Sequence, residues 1–229
     1  ILATDKGLIC GPRLFLSGKA ISQTGGHGEF NPRNRKFEAC FCRQGGSSIS
    51  TLADGIPAVR LAVREQLRKG ASQIKIMASG GVASPTDNIQ NVQYSEEEIK
   101  VIVEEARNSG TYVMAHAYTP KSISRCVRNG VRSIEHGNLL DRETAHLMME
   151  YQAYLVPTMV IYHAIAEIGA EEGFPKESLE KLSEVLESAS NAITVAREEN
   201  VKVGFGTDLL GPRGHKMQSQ EFVLRGAWN

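Results

Sequence analysis

Several segments of the chain repeat apolar residues at helical spacing, and each is followed by a short apolar run. In residues 95–110 apolar side chains recur three and four positions apart, which predicts a helix. Ser95 with Glu98 forms a capping box at its start, and Gly110 suits the position just after its end. The run TYVMAHA follows at once, which predicts a buried strand.

The same alternation continues along the second half of the chain. Thr119 and Asp141 are predicted helix N-caps, and a long amphipathic helix is predicted from about Lys176 to Asn200. The run AYLVPTM predicts a strand before it. Six strands are predicted in all, starting near Leu14, Ile74, Val113, Ser133, Tyr154 and Val203.

This alternation predicts an α/β fold with a parallel sheet, because parallel strands need crossover connections. A doubly wound sheet and a (β/α)₈ TIM-like barrel both fit the pattern. About six of the eight strands of a closed barrel are accounted for, so we expect either an open sheet or an incomplete barrel.

Polar residues end four of the predicted strands: Lys75 in QIKIMAS, His116 in YVMAHAY, His136 in SIEHGN and Asp208 in GFGTD. The carboxyl ends of parallel strands gather on one face, so we expect these four side chains to meet there. Regular strand alternation also predicts that His136 shares its face with Ile134.

Each of these residues alone has an ordinary alternative. The two histidines also suit a hydrogen-bonded core, Asp208 suits a helix N-cap, and Lys75 suits a structural salt bridge. Together, imidazole and carboxylate groups favour a transition metal and hydrolytic chemistry. A buried ammonium is costly, but CO₂ can convert the neutral lysine amine to an anionic carbamate that binds metal. Asp208 would then serve as general base and acid.

Composition narrows the range of partners. Lys plus Arg equals Asp plus Glu at 26 each, which gives no support for a nucleic-acid or anionic-membrane partner. No apolar run approaches the roughly 18 residues that span a bilayer. Cys40 and Cys42 suit a metal or redox pair less well than free thiols, and reduced thiols are typical of a cytoplasmic protein.

Five segments, in this order, resemble the amidohydrolase superfamily: QIKIMASGGVASPTDN, TYVMAHAYTP, VRSIEHGNLLD, YLVPTMV and VGFGTDLLG. They are most similar to the imidazolonepropionase-related group and its prolidase-like Xaa-Pro dipeptidases. GPRLFLSGKAISQTGGHGE resembles the third-strand region of that subgroup, so the resemblance runs from about Gly11 to Trp228. It implies a distorted (β/α)₈ barrel that holds one or two divalent metal ions, usually zinc.

The resemblance also implies roles for individual residues. Four match metal-binding positions of the family: Lys75, His116, His136 and Asp208. Lys75 would be the carboxylated lysine that bridges the metals, and Asp208 would also be the proton shuttle. His27 and Tyr118 match positions that contact the substrate carboxylate or the developing oxyanion, although a solvent-exposed loop and simple packing suit them equally.

One departure from the family pattern is that no His-x-His pair occurs in the sequence. The family's first two strands and its small β-sandwich also have no counterpart. We therefore expect residues 1–229 to be a partial barrel domain from a protein of about 400 residues. If the chain were complete, a non-catalytic barrel remnant would be the alternative.

The favoured function is hydrolysis of a dipeptide with proline on its C-terminal side, with Arg213 or His27 near the substrate carboxylate. A cyclic-amide hydrolase of imidazolonepropionase type stays open, as does a Schiff-base lyase that uses Lys75. His163 and His215 are weaker candidates for the pocket. A homo-oligomer is compatible with the sequence but is not indicated by it.

Overall fold

The computed structural model describes residues 2–30, 49–84, 87–171, 173–174 and 176–226. In this part of the chain seven strands form one parallel sheet. They are Ala20–Ser22 (β1), Ser50–Leu52 (β2), Ile74–Met77 (β3), Val113–Ala117 (β4), Ser133–His136 (β5), Tyr154–Val156 (β6) and Lys202–Val203 (β7). Their order is β2-β1-β3-β4-β5-β6-β7, and the sheet does not close. The prediction of a parallel α/β sheet, incomplete as a barrel, is confirmed.

Helices connect most successive strands. The described residues form Leu2–Asp5 (α1), Ile56–Arg68 (α2), Glu96–Asn108 (α3), Pro120–Arg128 (α4), Arg142–Glu150 (α5), Met159–Ile168 (α6), Lys176–Glu198 (α7), Gly211–His215 (α8) and Gln220–Gly226 (α9). One helix lies between β3 and β4, one between β4 and β5, and one between β5 and β6, as crossover connections require.

The predicted caps are present. Ser95 accepts a hydrogen bond from the Glu98 amide at 3.3 Å, and the Glu98 carboxylate accepts from the Ser95 amide at 2.8 Å. Thr119 and Asp141 cap α4 and α5 through the amides three residues later. Gly110, which follows Ser109 at the C-cap of α3, has φ +72°, which a side chain would disfavour.

One predicted strand is wrong, and one strand and one helix were missed. No strand starts near Leu14, because the apolar residues there are exposed (Phe15 is 69% exposed) and pair with no strand among the described residues. The first strand, β1, instead begins at Ala20. The strand β2 was not predicted because its sequence, Ser-Thr-Leu, is too short and polar to form an apolar run. The helix α6 was also missed, since its apolar residues follow those of β6 without a break.

The main core lies between one face of the sheet and helices α2 to α5 and α7. Ile76, Ala115, Ile134 and Leu155 point into it from successive strands and are fully buried. Burial of such aliphatic side chains is the main contribution to stability, at about 25 cal/mol for each Å² of apolar surface removed from water. The opposite face of the sheet is therefore left for polar side chains.

No helix among the described residues is both long and apolar enough to cross a membrane. Cys40 and Cys42 lie outside the described residues. Cys126 is buried in the main core, while Cys10 is exposed, and both are free thiols.

Candidate functional site

Three histidine rings and one tyrosine ring form a cluster at the carboxyl ends of the strands. His116, in β4, lies at its centre. His27 stacks on it with ring centroids 4.2 Å apart and an interplanar angle of 18°. His136 approaches the same ring edge-on at 4.6 Å, and Tyr118 lies at 4.7 Å. The fold therefore brings together residues that are up to 109 positions apart (27 to 136).

Hydrogen bonds fix one ring nitrogen of each of the two strand histidines. His116 Nε2 lies 3.0 Å from the Gly80 carbonyl oxygen, so Nε2 donates and Nδ1 carries no proton in the neutral ring. His136 Nδ1 lies 2.7 Å from Thr158 Oγ1. Within the described residues His116 Nδ1 and His136 Nε2 have no hydrogen-bond partner, so these two nitrogens are the ones left for a ligand.

Backbone geometry at His136 overturns the prediction from strand alternation. In the sheet register Glu135 lies beside His116, whereas Ile134 lies beside Ala115 and faces the main core. His136 would by alternation face the core with Ile134. Its φ of +77° turns the side chain back toward His116 instead. Two successive residues of β5, Glu135 and His136, therefore point to the face of the sheet opposite the main core.

Left-handed backbone recurs at the end of β5 and in the loops that follow β6 and β7. His136, Thr158 and Asp208 have φ values of +77°, +47° and +53°. Such values are uncommon outside glycine, and for a branched residue such as threonine they are strained. Strained residues of this kind cluster at functional sites, where the surrounding structure holds them in place.

Charged groups lie close to the histidine cluster. Glu135, Asp208 and Lys75 are near enough to shift one another's pKa values. Burial lowers the pKa of Lys75, and the two carboxylates oppose this effect. Burial raises the pKa of Asp208, and the charges of Lys75 and His27 oppose this effect. Burial also raises the pKa of Glu135, whose carboxylate accepts a 2.6 Å hydrogen bond from Ser133.

Asp208 is exposed to solvent in the loop after β7. Access of water to its carboxylate weakens the desolvation that raises its pKa. Neither the Asp208 carboxylate nor Lys75 Nζ forms a hydrogen bond within the described part of the chain. Both groups are thus available to a ligand.

The two strand histidines are held in the neutral form. Burial lowers the pKa of His116 well below the usual value, and the neighbouring His27 and His136 lower it further. Burial likewise lowers the pKa of His136, with Lys75 as the next largest cause. Neutral imidazole is the form that binds a metal, and a carbonyl or hydroxyl partner on the other nitrogen is typical of ligating histidines. The residues present therefore fit a metal.

A buried hydroxyl network supports Tyr118. Its hydroxyl oxygen lies 3.3 Å from that of Tyr162, which donates to Asn138 Oδ1 at 3.1 Å. Asn138 Nδ2 in turn donates to the Val185 carbonyl of α7 at 3.3 Å. This last contact fixes which end of the amide accepts. Tyr118 is therefore held by residues from α6, α7 and the loop after β5.

His27 is held by its own loop contacts. Its Nδ1 atom lies 3.2 Å from Asp87 Oδ2 and 3.0 Å from Ser84 Oγ. The ring packs so closely on Gly81 that a Cβ atom there would overlap it. His27 is only 9% exposed, so the alternative of a solvent-exposed loop residue is wrong.

The weaker candidates lie away from this cluster. His163 lines a surface cavity between α6 and α9 with Gln220 and Leu224. His215 Nε2 lies 3.0 Å from the Leu209 carbonyl oxygen in the loop before α8. Arg213 is exposed and forms an ion pair with Glu171 at 3.0 Å. His27 is thus better placed than Arg213 to meet a ligand in the cluster.

The predicted metal ligands form a partial set. Among the described residues, no three His, Cys, Asp or Glu side chains lie close enough together to hold a metal by themselves. Lys75 is outside that group of residue types, and its predicted modification would add a carboxylate-like ligand. The assignment of Lys75, His116, His136 and Asp208 as ligands stays a prediction.

Several residues near the site were missed from the sequence. Glu135 had the same signal as Lys75, a charged residue within an apolar strand, which needs a partner when buried. Asn138 and Thr158 follow strands directly and so lie where ligand sites form. Tyr162 and Asp87 gave no sequence signal of their own, since α6 and the loop after β3 were not predicted in detail.

The partial parallel α/β barrel carries imidazole, carboxylate and amine groups at the carboxyl ends of its strands, which is where barrel enzymes place their active sites. The sequence matches the amidohydrolase family over residues 1–227, and the chain belongs to this family. It is 38% identical over 240 residues to a protein named ochratoxinase from Aspergillus niger, covering 98% of this chain and 48% of that protein.

Solved structures give the same family assignment. The chain is 54% identical, with a TM-score of 0.94, to a prolidase complexed with N-methylphosphonate-L-proline. It is 34% identical, with a TM-score of 0.86, to a Xaa-Pro dipeptidase with bound methionine in the active site. Each alignment covers 99% of this chain and 55% of the other. The chain thus spans about half the length of the relatives it matches, and the predicted resemblance to the prolidase-like subgroup is confirmed.

Proposed function

We propose that the whole protein is a metal-dependent hydrolase that cleaves Xaa-Pro dipeptides. The observation that carries this proposal is 54% identity, at a TM-score of 0.94, to a prolidase complexed with N-methylphosphonate-L-proline. That compound joins a tetrahedral phosphorus to the proline nitrogen. It resembles the tetrahedral species that forms when water attacks the carbonyl of an Xaa-Pro amide, and enzymes bind such analogues tightly.

The proposed ligands of one or two divalent ions, zinc by family resemblance, are Lys75, His116, His136 and Asp208. His116 would bind through Nδ1 and His136 through Nε2, because their other nitrogens are occupied by Gly80 and Thr158. A bound ion would lower the pKa of a water molecule and polarise the substrate carbonyl. Lys75 would bind as a carbamate, which forms when its neutral amine adds to CO₂ and loses a proton.

The residues of the chain itself supply proton transfer and substrate binding. Asp208 would accept a proton from the attacking water and deliver it to the proline nitrogen as the C–N bond breaks. That nitrogen carries no hydrogen in the amide, so it can leave as an amine only after gaining one. Asp208 suits this role because it has no hydrogen-bond partner in the described residues and lies within electrostatic reach of Lys75.

His27 and Tyr118 are proposed to bind the substrate. His27 Nε2 has no hydrogen-bond partner among the described residues and lies on the ring that stacks on His116. Tyr118 keeps its phenol proton, since burial raises its pKa well above the usual value. A phenol that stays protonated can donate to a substrate carboxylate or to the oxygen that gains negative charge.

A second candidate is hydrolysis of an ochratoxin-type amide, which the 38% identity to a protein named ochratoxinase favours. Both candidates share the metal centre and differ in the group that leaves. A cyclic-amide hydrolase would differ in the loops, and no observation favours it. A Schiff-base lyase explains the lowered pKa of Lys75 but gives no joint role to the two neutral histidines.

The test is a substrate panel with the purified full-length protein loaded with zinc. We expect turnover of Met-Pro and Ala-Pro, little turnover of Met-Leu, and loss of turnover after chelation with recovery on added zinc. Cleavage of ochratoxin alone would favour the second candidate. Trapping of Lys75 by borohydride in the presence of a carbonyl substrate would favour the lyase and contradict both.

A further inference from the structure

Lys181 on α7 forms a contact that neither the sequence nor the proposed catalytic step explains. Its ammonium group donates to the backbone carbonyls of Gly81 at 3.2 Å, Ser84 at 2.8 Å and Asp87. All three belong to the loop after β3, 94 to 100 residues earlier in the chain. An ammonium has three hydrogens, so these three carbonyls use its full donor capacity. The Lys181 side chain therefore links this loop to α7 through its ammonium group.

The loop that Lys181 holds carries the carboxylate of Asp87. Asp87 Oδ2 accepts a hydrogen bond from the Gly81 amide at 2.7 Å and lies 3.2 Å from His27 Nδ1. Asp87 Oδ1 is buried and has no hydrogen-bond partner in the described residues, and Lys181 Nζ lies 3.9 Å away. Because its three hydrogens serve the carbonyls, Lys181 compensates the charge of Asp87 without a direct hydrogen bond.

The contacts of Asp87 determine the state of His27. A carboxylate oxygen accepts, so His27 Nδ1 donates to Asp87 Oδ2, and Nε2 is left without a hydrogen-bond partner among the described residues. The ring also packs closely on Gly81 and stacks on His116. Both the tautomer of His27 and the position of its ring thus depend on the loop.

We propose that Lys181 and Asp87 are positioning residues that hold His27 in the orientation and the Nδ1-protonated form in which its Nε2 is free to accept a hydrogen bond from the substrate. This inference rests on the proposed function, because it takes the role of His27 from there. Neither residue touches the predicted metal ligands, and both act through the loop after β3. Loss of either should therefore weaken substrate binding before it affects the chemical step.

The test compares Lys181→Ala with Lys176→Ala, a control on the same helix whose lysine is exposed and forms an ion pair with Glu180 at 3.4 Å. We expect Lys181→Ala to raise KM for Met-Pro about tenfold or more, the scale of effect when a binding group is misplaced. Its kcat should change much less, and Lys176→Ala should match the wild type. A Lys181→Ala enzyme with wild-type KM would overturn the inference.

Chemical rescue separates positioning from general damage to the fold. Propylammonium supplies the charge and the hydrogens missing from Lys181→Ala, and we expect it to lower KM toward the wild-type value. Tetramethylammonium carries the same charge but no N–H donor, and we expect no rescue. If both ions lowered KM equally, or if neither lowered it, the role assigned to the three carbonyl contacts would be contradicted.

A spectroscopic measurement keeps this inference distinct from the proposed function. Histidine-selective ¹⁵N NMR of the full-length protein should show His27 with its proton on Nδ1 in the wild type. The signal should move to a mixture of tautomers in Asp87→Ala and Lys181→Ala. If the protein cleaves no dipeptide but these shifts occur, the function fails and the positioning stands. Unchanged His27 signals in both variants would refute the positioning whatever the substrate.

Discussion

The imidazole rings of His116 and His136 lie edge to face with their centroids 4.6 Å apart, although they belong to different strands. Alternation within β5 would have pointed His136 into the helical core beside Ile134. A left-handed backbone at His136, with φ +77°, turns its ring to the other face of the sheet. The hydrogen bond from His136 Nδ1 to Thr158, itself left-handed, supports that arrangement.

Tyr162→Phe tests the hydroxyl network behind the site. The change removes the donor to Asn138 Oδ1 and leaves a buried acceptor unsatisfied. We expect the free energy of unfolding to fall by about 1–3 kcal/mol and kcat/KM to fall because Tyr118 loses its support. Tyr151→Phe, at a half-exposed residue, is the control and should change stability by less than about 0.5 kcal/mol. Equal behaviour of the two variants in unfolding and kinetics would count against the network.

Gly81→Ala tests the confinement of His27. An added Cβ would overlap the ring, whose movement is restricted because it stacks on His116 and contacts Asp87 and Ser84 through Nδ1. We expect kcat/KM to fall about 100-fold, since small displacements at a site have effects of that size. Gly226→Ala is the matched control, because a Cβ there would have no atom within 4 Å. An active Gly81→Ala enzyme would show that the ring is free to move.

Glu105 is predicted to make stability depend on pH. It is buried between α2 and α3, and Arg64 donates to both its oxygens at 2.8 Å and 2.9 Å. The hydrogen bonds from Arg64 lower the pKa of Glu105 below its usual value of 4.5. Its stabilising effect is therefore complete above about pH 4.5 and disappears as the pH falls through the lowered folded-state pKa.

We accordingly expect the wild type to be more stable than Glu105→Gln at pH 7, with the difference shrinking on acidification toward pH 3. Denaturant unfolding of both proteins across that range is the measurement. Glu104→Gln should show a much smaller difference, because Glu104 is exposed and lies 3.6 Å from Arg60. A gap between wild type and Glu105→Gln that stays constant with pH would exclude this linkage.

The general architecture could be predicted because it follows from the local spacing of apolar residues and from helix caps. Helical periodicity together with caps such as Ser95 and Thr119 predicted most of the helices. Short apolar runs between them predicted five of the seven described strands, β3 to β7. Lys75, His116 and His136 stood out because polar residues at strand ends gather on one face. None of these helices, strands or strand-end positions depends on the conformation of a loop.

The rest depended on features that a single sequence does not display. The turn of His136 requires a left-handed backbone that histidine adopts only under tertiary constraint. Lys181 lies on α7 among other charged residues, and only the folded loop shows that its ammonium is partly buried against carbonyls. The helix α6 was missed because a continuously apolar segment carries no period.

Asp208→Asn tests the proton shuttle. The amide keeps the size of the side chain but accepts no proton, so the step that protonates the proline nitrogen loses its donor. We expect kcat on Met-Pro to fall by about 10²–10⁴-fold, with a smaller change in KM. Metal content measured in parallel distinguishes loss of the shuttle from loss of a ligand. Full activity of Asp208→Asn would remove Asp208 from the reaction.

The most direct test of the central claim is an anomalous difference map of the zinc-loaded full-length protein, recorded at the zinc absorption edge. We predict a peak about 2.0–2.1 Å from His116 Nδ1 and His136 Nε2, with carbamate density extending from Lys75 Nζ and the Asp208 carboxylate beside the ion. Zinc bound elsewhere, with these two nitrogens free and Lys75 unmodified, would contradict the assignment of a shared metal centre.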